Sequence, residues 1–237
     1  MTDIAVLVPS FDGYADIWPI QAELFQRFWP DRTWPMYWVH TRKPVPSIAN
    51  GIAVPEVGRL EWGNAIRYAV ECVPASLIAF WFEEIFPLSK VPNDLFLEAA
   101  EIMRTTPDVG IVQLTRYYCQ PTNPSIGNFA DYPLGEVGFS SSLPAIFRKE
   151  VLLHLLKANP KSNDFEQQSS AVMFRDLPGV RSLISTKPMF KLCDNALLSG
   201  PWRKCAVDHL TELGIDVNFS IRGICPNECD YPDGVKA

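Results

Sequence analysis

The chain has 237 residues, with 27 Asp and Glu against 21 Lys and Arg, giving a formal charge of -6 at pH 7. Hydrophobic residues make up 47%, aromatics 12% and charged residues 20%, which excludes a largely disordered chain and supplies core for one ordinary globular domain. The acidic balance, with no clustered Lys and Arg, argues against a nucleic-acid partner.

Ile4 to Val8 is an unbroken aliphatic run ending at Pro9, the signature of a central strand covered on both faces. After the loop Ser10 to Tyr14, the positions Ile17, Ile20, Leu24 and Phe28 recur at helical spacing until Trp29-Pro30-Asp31. Met36 to Val39 predicts a second strand, and the proline-rich passage Lys43 to Pro55 a long loop. Trp62, Ile66, Ala69, Val70 and Val73 mark a helix closed by Pro74. Ser76 to Phe82, the most apolar run, predicts a buried strand that ends abruptly in Glu83-Glu84.

Leu95, Ala99, Ile102 and Met103 give the next helix and Val109 to Leu114 the next strand. This alternation predicts an α/β fold with a mostly parallel sheet and helices on both faces. Thr115 to Pro133 lacks a pattern. A strand is expected near Gly138 to Ser142, a helix on Val151, Leu152, Leu155 and Leu156, and another helix from Asn163 or Asp164. Beyond Leu177 the pattern predicts short strands near Arg181 to Ser185 and Val217 to Ile221.

No apolar stretch approaches the roughly 20 residues that span a bilayer, and Met1 to Phe11 lacks the layout of a signal peptide, so a soluble cytoplasmic protein without a transmembrane segment is expected. The six cysteines are read as reduced thiols, and Cys225 and Cys229 lack the second pair that a zinc site requires.

Ligands of open α/β sheets bind beyond the carboxyl ends of the strands, which raises the interest of Pro9 to Asp16 and of Glu83-Glu84. Neither a Gly-x-Gly-x-x-Gly fingerprint nor a phosphate-binding P-loop nor a Gly-x-Ser-x-Gly elbow is present, which disfavours dinucleotide oxidoreductases, P-loop phosphotransferases and serine hydrolases. Paired carboxylates at a strand end suit a hard cation such as Mg²⁺ or Mn²⁺ completed by a diphosphate, and equally suit solvated acids after a strand. In Asp164-Phe165-Glu166, Glu166 can serve as a general base at a helix start, while Asn163 with Glu166 three residues on also has capping-box spacing. His40, His154 and His209 have no metal-ligand spacing.

Three stretches in order carry a resemblance to a known family. The first is Val6 to Ser10 with Tyr14-Ala15-Asp16-Ile17-Trp18, Phe28-Trp29-Pro30-Asp31 and the strand Met36 to Val39. The second is Glu61-Trp62-Gly63-Asn64-Ala65-Ile66-Arg67, then the apolar strand into Glu83-Glu84-Ile85-Phe86. The third is Ser142 to Glu150 with Leu152-Leu153, then Asn163-Asp164-Phe165-Glu166. Together they resemble the small bacterial and phage glycosyltransferases of the GT-A type associated with capsular and lipopolysaccharide synthesis.

The resemblance implies a single GT-A-like domain over 1–237, with a donor-binding half at about 1–115 and an acceptor and catalytic half at about 116–237. It implies a nucleotide-diphosphate sugar bound near Pro9, Ser10, Asp16, Trp62 and Arg67. Glu83 and Glu84 would face the donor sugar or a Mn²⁺ or Mg²⁺ ion, and Glu166, with Asp164 beside it, would deprotonate a saccharide or other hydroxyl acceptor in an inverting displacement. Two departures stand out: Glu-Glu replaces the commoner Glu-Asp, which puts metal dependence in question, and Phe147 stands where Trp is usual. Arg203, His209 and Arg222 lie beyond the resemblance. Two alternatives remain, a phage DNA glycosyltransferase acting on a hydroxymethylated base and a non-catalytic nucleotide or sugar-binding module.

Overall fold

In the computed structural model the described residues are 3–55, 61–115, 123–133, 143–158, 160–187, 190–198 and 200–225. Five consecutive apolar residues form β1 (Ile4–Val8), buried throughout because both sheet faces are covered. A 3₁₀ turn at Asp12–Tyr14 leads into α1 (Trp18–Phe28), which carries Pro19 in its first turn, where the missing N–H leaves no bond unmade. There follow β2 (Met36–His40), β3 (Asn50–Ala53), α2 (Trp62–Cys72) and β4 (Leu77–Phe80). Next come β5 (Phe86–Pro87), α3 (Asn93–Thr105), β6 (Val109–Gln113), β7 (Phe129–Asp131), β8 (Ala145–Arg148) and α4 (Lys149–Leu156). The chain continues through α5 (Phe165–Asp176), β9 (Arg181–Ser185), β10 (Leu192–Cys193), β11 (Trp202–Arg203), α6 (Lys204–Glu212) and β12 (Ile224–Cys225).

The main sheet has eight strands in the order β3-β2-β1-β4-β8-β6-β9-β7. The pairs β3–β2, β2–β1, β1–β4 and β6–β9 are parallel, while β8 lies antiparallel between β4 and β6, and β7 is an antiparallel edge. This is the α/β architecture that the alternating pattern predicts. Two small pairs, β10–β5 antiparallel and β11–β12 parallel, tie the last quarter of the described chain to the segment after β4 and to itself. A fully buried aromatic group, including Phe25, Trp29, Trp81 and Phe96, packs between α1, α3 and β4, with Trp29 and Phe96 centroids 4.6 Å apart.

Several expectations need correction. The loop expected over Lys43 to Pro55 contains β3, which buries only Ile52 and is set by pairing with β2, so it has no period-2 signal of its own. The strand expected near Gly138 to Ser142 lies outside the described residues, and the strand that fills this part of the sheet is β8, immediately after Pro144. Val217 to Ile221 is not a strand: a 3₁₀ turn occupies Phe219–Ile221, where the Asn218 side chain accepts a hydrogen bond from the Ser220 N–H. Lys204–Glu212, where the sequence pattern predicts no helix, forms α6. Cys205 is disulfide-bonded, which corrects the reading of all six cysteines as thiols, whereas Cys72, Cys193 and Cys225 are free. Among the described residues no helix is long and apolar enough to cross a membrane.

Candidate functional site

β1 and β4 run side by side in parallel, with Leu7 opposite Phe80, so the segments that leave their carboxyl ends emerge together. Pro9 is buried at the end of β1. Ser10 follows at 8% exposure, and its Oγ accepts a 2.7 Å hydrogen bond from Trp18 Nε1. That leaves the hydroxyl proton free to point elsewhere, and the hydroxyl acts on the Glu83 carboxyl by favouring its ionised form.

The acidic pair sits on a turn that is fastened from beneath. Gln21 of α1, fully buried, donates from Nε2 to both Phe82 O at 2.8 Å and Ile85 O at 3.2 Å. Trp81 Nε1 donates to Ile85 O at 2.7 Å, and Ala196 N donates to Glu84 O at 2.8 Å. Sequence inspection does not single out Gln21, because its partners are more than 60 residues away and its own helix gives it no periodic signature.

With Glu83 only 6% exposed, burial and the neighbouring Glu84 charge push its carboxyl up to about 8, against the smaller opposing pull of its own backbone N–H and Ser10. Burial likewise raises Glu84 to about 7, with Arg222 and Arg203 drawing it back down. Tyr14 is raised by burial and by the charges of Glu84 and Glu83.

Asp16 is held in a fork by Arg222, whose Nε donates to Oδ2 at 2.7 Å and whose Nη2 donates to Oδ1. Arg222 also donates to Gly13 O at 2.8 Å and Gly200 O at 3.3 Å, and lies 4.8 Å from the Tyr14 ring centroid. Burial tends to raise the Asp16 carboxyl, but the hydrogen bonds and charge of Arg222 outweigh it, and its pKa falls below the ordinary value. The residue after Arg222 is Gly223 at φ +72°, a backbone setting that glycine takes without strain. Nearby, the Asp12 carboxylate accepts from three successive backbone N–H groups, Thr41 at 2.8 Å, Arg42 at 2.8 Å and Lys43 at 3.1 Å, and so fixes the loop after β2 against the loop after β1.

Aromatic packing brings the second half of the chain to the same edge. Trp62, which opens α2, stacks on Phe82 at 5.8 Å and 8°, and Phe165 meets Trp62 edge-on at 5.6 Å and Phe80 at 5.8 Å. Phe165 opens α5, so Glu166 lies in the first turn of a helix seated on the end of β4. Asp164 occupies the N-cap without a side-chain cap bond, one residue later than the capping-box spacing requires. Arg67, by contrast, pairs along its own helix with Glu71 at 3.2 Å and is not brought into the cluster by any hydrogen bond or ion pair among the described residues. His209 likewise stays on its own helix, 3.9 Å from Glu212.

A resident divalent cation fits this donor set poorly. Glu83 is only 6% exposed, and among the described residues no group of three His, Cys, Asp or Glu side chains stands ready to hold a metal ion. Two carboxylates whose burial favours the protonated form do not make a preformed oxygen cage.

Neither a known family model nor a curated protein matches the chain. Solved structures do match in fold. Staphylococcus aureus TarS 1-349 in complex with UDP gives a TM-score of 0.50 at 11% identity over 80% of this chain and 59% of that one, so this chain spans little more than half of that protein. CMP:2-keto-3-deoxy-manno-octonic acid synthetase complexed with CTP gives 0.49 at 12% identity, covering 90% of this chain and 98% of that one. A 2-C-methyl-D-erythritol 4-phosphate cytidylyltransferase from Thermus thermophilus gives 0.45 at 14% identity, covering 81% and 93%. At these identities the likeness concerns the fold alone, and the chain has a GT-A-like α/β fold.

Proposed function

We propose that the protein is a transferase that moves a sugar from a nucleotide-diphosphate sugar to a hydroxyl acceptor. The observation that carries this reading is the cluster at the carboxyl edge of β1 and β4, where Ser10, Asp16, Glu83 and Glu84 follow the two strand ends and Phe165, the first residue of α5, packs on Phe80 and Trp62. Open α/β sheets bind ligands at that edge, and a carboxylate at a nearby helix start is suited to proton removal.

In this reading Pro9, Ser10, Asp16 and Trp62 frame the donor, Glu83 and Glu84 face its sugar and diphosphate, and Arg67, paired with Glu71 on its own helix, would have to leave that pair to reach it. Glu83, held neutral near pH 7 by burial, donates a hydrogen bond from its carboxyl group to a sugar hydroxyl. Glu166 takes the proton from the acceptor hydroxyl as its oxygen attacks the anomeric carbon and the nucleoside diphosphate departs from the opposite face. Asp164, at the N-cap of that helix, is the second carboxylate beside the base and sits where the helix dipole is positive. The configuration at the anomeric carbon is thereby inverted, and the acceptor is a saccharide or another hydroxyl compound.

Substitution of the base tests the assignment. Glu166→Gln is expected to lower transfer by about 100-fold or more while leaving the donor Kd within about twofold. Retained turnover would remove Glu166 from the mechanism.

A further inference from the structure

We infer that Arg203, backed by Arg222, supplies the positive charge that receives a diphosphate at the carboxyl edge of β1 and β4, so that the protein binds nucleoside diphosphates without a divalent cation. This deepens the reading above and rests on it.

Arg203 is built into the wall of the cluster by main-chain bonds. Its N–H donates to Ala196 O at 2.9 Å, and Ala196 N in turn donates to Glu84 O at 2.8 Å, so Arg203 stands two backbone links from the acidic pair. Among the described residues its guanidinium makes one hydrogen bond, a long one of 3.4 Å from Nη1 to Asp194 O. A guanidinium has five N–H donors in a planar fork matched to phosphate, so most of that capacity remains available to an anion. The residue also forms the N-cap of α6 with no side-chain cap bond, and the positive end of the helix dipole adds to its charge.

Arg222 plays a different part. Its donors are committed to Asp16, Gly13 O and Gly200 O, and its side chain is only 13% exposed. It cancels the charge of Asp16 and anchors the segment beside Arg203 to the loop after β1. With Asp16 held in the fork of Arg222, its charge is already answered within the protein, and a diphosphate arriving there meets the available guanidinium of Arg203. Among the described residues no third ligating side chain joins Glu83 and Glu84, which leaves little for a cation to coordinate.

The test uses inorganic pyrophosphate and the uridine, guanosine, cytidine, adenosine and thymidine diphosphates, titrated calorimetrically into the full chain with EDTA and then with Mn²⁺. Pyrophosphate and one of the nucleotides should bind in EDTA. Arg203→Gln should weaken that binding by about tenfold or more and Arg203→Lys by less, while Arg175→Gln, on an exposed ion pair of α5, changes nothing. Circular dichroism of each variant separates a lost contact from a lost fold. Binding that appears only with Mn²⁺ would overturn this inference and leave the transferase reading standing. Undiminished binding by Arg203→Gln would overturn the role of Arg203, and absence of binding under both conditions would overturn the inference and the transferase reading together.

Discussion

Glu83 is the residue on which chemistry and stability pull in opposite directions. Its pKa is raised in the folded protein to about 8, so the folded state holds a proton that the unfolded chain releases near 4.5. Stability contributed by the neutral carboxyl is therefore full below about pH 4.5 and is lost as pH rises through about 8, and Glu84 follows the same course to about 7. Glu83→Gln mimics the protonated form. It should stabilise the fold by on the order of 3 kcal/mol at pH 8 and by much less at pH 5, read from denaturant unfolding at the two values. Equal effects at both would mean that Glu83 is not shielded as described. Ser10→Ala should move Glu83 higher still, because it removes a hydroxyl that favours the ionised form, and a carboxyl titration followed by NMR would detect the rise.

At the scale of elements, the site depends on how helices are seated on the ends of β1 and β4. Phe165 is fully buried between Trp62 and Phe80, and Phe165→Ala should lower stability by about 3–5 kcal/mol and loosen the first turn of α5, with amide exchange at Glu166 and its neighbours as the readout. Unchanged protection there would show that α5 is held by other contacts. Gln21→Leu keeps the approximate size of the side chain but takes one donor from each of the Phe82 and Ile85 carbonyls, which keep the Ile85 N–H and Trp81 Nε1 respectively. A cost of about 0.5–1.5 kcal/mol is expected in thermal or urea unfolding.

The elements differ in how clearly the chain announces them. β1, α1, α2 and β9 were legible because aliphatic runs and helical spacing report burial directly. β3 was not, since an edge strand with one buried residue is defined by its neighbour β2. Phe219–Ile221 mimics a strand by composition, but the local hydrogen bonds of Asn218 turn the backbone there.

On the scale of the molecule, the candidate site joins parts of the sequence that no local pattern connects. Asp16 and Glu83 could be proposed from strand ends alone, but their partner Arg222 lies 206 residues beyond Asp16 and belongs to a segment without periodicity. Gln21 is a similar case, with partners 61 and 64 residues away, and Arg203 is tied to the acidic pair only through Ala196, whose N–H donates to the distant Glu84 O.

The most direct measurement is thermal unfolding of the protein against uridine, guanosine, cytidine, adenosine and thymidine diphosphate sugars. A ligand present at about 100 times its Kd adds about 2.7 kcal/mol and moves Tm by a few degrees. The account predicts a selective rise with sugars of one base, undiminished by Glu166→Gln. No rise across the whole panel would contradict it.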